Sequence, residues 1–79
     1  MNFEKRVRNN LENLKNMMLS FNRCTKELGE IVPEKEWRMQ VRENKIGSEV
    51  FDECVDLMLL QGNVMIAKKE GDNKYYIRF

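Results

Sequence analysis

The chain has 79 residues, 42% of them hydrophobic and 34% charged, with a net charge of +1. That balance describes one small globular domain with a thin core and excludes a disordered segment; it also gives no overall pull toward nucleic acid or an anionic membrane. Two cysteines, Cys24 and Cys54, and no histidine argue against a structural zinc, which takes about four nitrogen or sulfur ligands.

Two reduced thiols in a cytoplasmic protein are the expectation for the cysteines, with a Cys24–Cys54 disulfide as the alternative. The opening residues are charged at once and carry no apolar stretch of the kind a secretory signal needs. The longest apolar runs, 57–60 and 64–67, fall far short of the roughly 20 residues that cross a bilayer. A soluble protein without membrane contact, metal or cofactor is expected.

Residues 2–28 contain neither Gly nor Pro and place apolar side chains at Val7, Leu11, Leu14, Met18, Phe21 and Leu28. The spacing of three and four predicts a helix, which would be about 40 Å long. That is too long to lie wholly inside so small a domain. Either its first half projects and pairs with a second copy through Val7, Leu11, Leu14 and Met18, or it breaks near Asn9 and Asn10. The plainer reading is that the stripe packs on the domain's own core.

Gly29 is a natural stop for that helix, and residues 30–32 are read as a short strand. Pro33 then suits the first helical position of a short amphipathic helix over 34–44, whose inner ridge is Trp37 and Val41. After a turn, Ser48 is the expected N-cap of a third helix, 48–61, with Glu49 in its favourable first turn. Val50, Phe51, Cys54, Val55, Met58 and Leu59 make its inward face, and Gly62-Asn63 ends it. Residues 64–79 switch to period two around a Gly71-Asp72-Asn73 turn, a β-hairpin. Val64, Ile66, Tyr75, Ile77 and Phe79 are expected inward, and Met65, Lys74, Tyr76 and Arg78 outward. Met39 and Met65 are expected at the surface. The fold class is mainly α with a C-terminal β-hairpin, an α+β domain covering 1–79.

This order of elements, and above all "IGSEVFDECVDLMLLQGNVMIAKKEGDNKYYIRF" with its helix running through "LLQGNV" into a hairpin, resembles the winged-helix family, here with an elongated N-terminal helix. The resemblance implies frequent DNA binding, with many members that bind proteins instead, and fold alone does not choose between them.

The residues weigh on that choice. With no histidine, no Ser-His or Cys-His pairing can form, Ser48 is better explained as a cap, and no phosphate-cradling glycine motif appears. A non-enzymatic protein follows. The third helix carries four acids, Glu49, Asp52, Glu53 and Asp56, and no base. They share one face at i, i+3, i+4 and i+7, which would repel a polyanion pressed against it. Cations are available elsewhere: Arg38, Arg42 and Lys45 around the short helix, and Lys68, Lys69, Lys74 and Arg78 on the hairpin, with Tyr76 beside them. Contacts of this kind hold phosphates and specify little sequence.

The expected function is a small DNA-binding regulator or DNA-associated accessory protein that grips duplex DNA through the wing and the basic strip, as a homodimer. The alternative is a protein-interaction module, an adaptor or inhibitor, that docks through Glu49, Asp52, Glu53 and Asp56.

Overall fold

A computed structural model describes the backbone of residues 3–78 and the side-chain surroundings of residues 11–78. The elements run α1 (Phe3–Leu28), β1 (Val32–Pro33), α2 (Glu34–Glu43), α3 (Ser48–Gln61), β2 (Val64–Glu70) and β3 (Asn73–Arg78). The three strands form one antiparallel sheet in the order β1-β3-β2. The predicted helices and hairpin are all present, with α2 one residue shorter than expected and the short strand at Val32–Pro33 rather than 30–32.

α1 is continuous through Asn9 and Asn10. Its 26 residues match the molecule's longest dimension of 39 Å. The stripe it buries differs from the predicted seam. Met17, Phe21 and Cys24 are fully buried, with Ser20 beside them and Leu14 and Met18 packed at the margin. Leu11 is 63% exposed and Leu28 51%. Leu11 sits N-terminal to the packed stretch, which runs from Leu14 to Cys24, so no core reaches it. Leu28 keeps the face of Phe21 but sits at the helix end, past the core. Val7 lies outside the residues whose side chains are described.

Trp37 is the hub. Its ring meets Phe21 of α1 at 4.8 Å, Phe51 of α3 at 5.2 Å and Tyr76 of β3 at 5.4 Å, each edge to face. Such pairs add roughly 0.5–1.5 kcal/mol beyond their buried area. The indole Nε1–H donates to the Met17 carbonyl at 3.0 Å, so no polar atom of the hub is left unpaired. One side chain on a ten-residue helix thus fixes both longer helices and the sheet against each other.

The sheet corrects the predicted faces of the last strand. Ile66 lies opposite Tyr76, and Val32 lies opposite Tyr76 on the other side. Residues directly opposite in an antiparallel pair share a face, so inward Ile66 and Val32 require inward Tyr76. Tyr76 is 1% exposed, whereas Tyr75 and Ile77 are only half-buried. An irregularity at Ala67 inserts an extra residue into β2, after which Lys68 faces Tyr75. Phe79 lies outside the described residues. Met65 is exposed, as expected.

The turns follow local chemistry. Gly71 takes φ 62° in the two-residue hairpin loop between Glu70 and Asn73, a conformation that glycine accepts at no steric cost. Gly47, not Ser48, caps α3, and no side chain caps it. Its end closes with the Gly62 N–H donating to Leu59 O and the Asn63 N–H to Met58 O. The same closure ends α2, where the Lys45 N–H donates to Arg42 O and the Ile46 N–H to Val41 O. There, however, the left-handed position (φ 63°) is held by Lys45. A side chain at that position costs about 1 kcal/mol that glycine avoids. Lys45→Gly is therefore expected to raise the urea midpoint by the equivalent of about 0.5–1 kcal/mol; a lower midpoint would mean that the lysine side chain makes compensating contacts.

Candidate interaction surfaces

The predicted cations gather in part: Arg38 lines one cleft with Lys69 and Lys74 and a second with Arg42, while Lys68 and Arg78 are engaged elsewhere. Arg38 is drawn inward: its Nη2 lies 2.6 Å from Asp52 Oδ1 and its Nε 3.6 Å from Glu34 Oε2, with the guanidinium 4.4 Å above the Phe51 ring. Glu34 Oε1 in turn accepts a 2.9 Å hydrogen bond from the Tyr76 hydroxyl. Burial first, and then the hydrogen bond to Glu34, push the Tyr76 phenol well above its ordinary range. Tyr76 and Arg38, both predicted to face nucleic acid, belong to a chain Tyr76–Glu34–Arg38–Asp52 that ties β3 to α2 and α3. In this setting Tyr76 cannot stack on a base.

The other cations divide between the surroundings of Arg38 and two separate places. Lys69 and Lys74 face each other across the β2–β3 ladder and line a cleft of about 570 Å³ between hairpin and α3. The same cleft holds Arg38 together with Glu34, Asp52, Asp56 and Asp72, so its cations look onto carboxylates of their own chain. Lys68 is on the opposite side, 3.1 Å from Glu70 and 4.7 Å from the Tyr75 ring centre. The Arg78 guanidinium donates to Asn22 Oδ1 of α1 at 2.9 Å and shares a hollow with Thr25, Gly29 and Glu30. Arg42 and Lys45 remain exposed at the end of α2.

α3 presents a different surface. Its core side buries Phe51, Cys54, Val55 and Met58. Its outer side carries the four acids, all exposed, and Leu60, which is 84% exposed. Glu49, Glu53, Asp56 and Leu60 follow at steps of four, three and four, which places them on one stripe of the helix. The acids are shared by sequence and structure; Leu60 was overlooked in the sequence. Its position was legible there, because it falls four residues after Asp56 on the acidic period rather than on the inward one.

The groups that could carry chemistry are muted. Cys24 and Cys54 are free and buried. Burial, reinforced by Glu27 and Glu36, pushes the Cys24 thiol up to about 11, and burial also raises Cys54. Thiols held protonated in this way are poor nucleophiles. Among the described residues no group of three or more carboxylates and cysteines is placed to hold a metal ion, and no helix is long and apolar enough to cross a membrane. Compared with models of known families, with curated proteins and with solved structures, the chain matches none.

Proposed function

We propose that this chain is a non-enzymatic protein-docking domain of the winged-helix type, binding its partner through the outer stripe of α3. The element order and the β1-β3-β2 sheet support the fold assignment. The observation that carries the function is Leu60, an 84% exposed leucine aligned with Glu49, Glu53 and Asp56. A leucine in water loses the favourable transfer of its side chain, about 1.5–3 kcal/mol on full burial. Carboxylates around it repel polyanions and favour a partner surface that is basic at its rim and apolar at its centre. Seating Leu60 in such a surface supplies affinity, and the acids supply selectivity.

The test is affinity capture with the wild-type chain beside Leu60→Ser and Glu53→Lys, both changes at exposed positions. A partner retained by the wild type and lost by about tenfold or more in each variant is the expected result. Equal recovery by all three would remove the reading.

A second reading, duplex DNA held through α2 and the hairpin, is favoured by the exposure of Arg42, Lys45, Lys68 and Lys69. In that case log affinity for random duplex falls steeply with log salt, Lys68→Ala flattens the slope, and Glu53→Lys strengthens binding. Absence of binding at low salt would exclude it. Self-association through α1 draws on the exposure of Leu11, while Leu14 and Met18 are already half-used by this chain's own core.

A further inference from the structure

We infer that the groove between α2 and the start of α3 is a second docking site, for a short acidic peptide segment with one leucine or phenylalanine anchor. The inference does not depend on the outer stripe of α3, which lies on another face of that helix.

The groove encloses about 330 Å³, the low end of the size range for sites that take a small ligand. Its floor is apolar: Val41, Ile46 and Phe51, each at most 5% exposed. Met39 stands on its wall and is 62% exposed. Lys35, Met39 and Arg42 sit at i, i+4 and i+7 of α2, so one face of the helix gives the groove a cation, a thioether and a second cation in turn. Neither Lys35 nor Arg42 is in an ion pair among the described residues. Gly47 and Ser48 close the far end. There the first turn of α3, which no side chain caps, adds N–H groups with partial positive charge. Arg38 also lines the groove but is already neutralised by Asp52 and Glu34.

No carboxylate lines this groove, which is unusual in a chain with 13 acids against 14 bases. An electropositive rim alone would suit any anion. The floor narrows the choice: a phosphate backbone has no aliphatic group to fill it, and a purely apolar peptide would leave Lys35 and Arg42 unmatched. A peptide that inserts one large apolar side chain between acidic neighbours satisfies both, with methionine at the wall adapting to the anchor's shape.

The experiment uses the full chain labelled with nitrogen-15, titrated with short synthetic peptides in which a central Leu or Phe is flanked by Asp and Glu. Expected are saturable shifts centred on Met39, Arg42, Ile46 and Ser48. Affinity should weaken about tenfold or more in Arg42→Glu and in Met39→Ser, and stay unchanged in Leu60→Ser. That last result separates this site from the α3 stripe. Equal binding of peptides whose anchor is replaced by glycine would overturn the inference. So would displacement by short duplex DNA at the same salt, or shifts lying elsewhere. Both substituted positions are exposed, so circular dichroism is expected to confirm unchanged folding of the variants.

Discussion

Trp37→Ala is expected to destabilise the domain by about 3–5 kcal/mol, the range for removing a large aromatic side chain from a packed core. A chain of this size has roughly 4–12 kcal/mol of stability in total, so the variant should stand at the edge of unfolding. The loss spreads further than volume alone suggests. Phe21, Phe51 and Tyr76 each have their edge-to-face partner in this one ring, so three contacts between separate elements disappear together. The Met17 carbonyl also loses its indole donor, though the helix retains its own hydrogen bond. Urea unfolding followed by circular dichroism measures the effect. Trp37→Phe should fall between the two, since it keeps part of the ring packing. A loss below about 1.5 kcal/mol for the alanine variant would mean that the four elements are held by something other than this hub.

The second large effect is at Tyr76. Tyr76→Ser is expected to cost about 3–5 kcal/mol, whereas an outward-facing residue at that position would tolerate serine within about 0.5 kcal/mol. Tyr76→Phe should cost only about 0.5–1.5 kcal/mol, the net worth of the hydrogen bond to Glu34. The phenol also contributes, with the two thiols, to the expected alkaline behaviour. Its folded pKa is raised, by burial and then by Glu34, with Arg38 opposing and Asp52 adding to the effect. A raised pKa contributes stability that is fully present below the unfolded value and is lost as pH rises toward the folded one. For Cys24 that window runs from 9.0 to about 11; Cys54 acts in the same direction, and Tyr76 begins at 10.0. The urea midpoint should therefore be insensitive to these groups at neutral pH and decline from about pH 9 upward. Tyr76→Phe should shallow the decline above pH 10. A midpoint that rises over this range would show that the phenol and thiols are not buried in their neutral forms.

Much of this architecture was legible in the residues. The glycine-free run before Gly29, Pro33 ahead of an acidic turn, and the switch to period two after Gly62 each reflect a local backbone preference. What escaped depended on distance. In "KYYIRF" two tyrosines stand side by side, so either register buries an aromatic ring. The choice was made by β1, more than forty residues earlier in the chain, pairing Val32 with Tyr76. The fate of the cations was equally remote. Arg38 meets Asp52 across 14 residues, Tyr76 meets Glu34 across 42, and Arg78 meets Asn22 across 56. Counting charges by segment revealed the acidic helix correctly, since all four acids project from one element. It could not show that Arg38 turns to Asp52 while Lys68 and Arg78 find partners of their own.

The extra residue at Ala67 bears on what the sheet edge offers to another chain. β2 is an outer strand of the sheet, and outer strands offer unpaired backbone groups on which another chain can grow. A bulge bends and coils the strand that carries it, and here it is followed at once by Lys68 and Lys69. The straight stretch available to an incoming strand is thereby cut to the few residues before Ala67. A small domain with leucine and methionine open to water thus presents a sheet margin poorly suited to fibre growth.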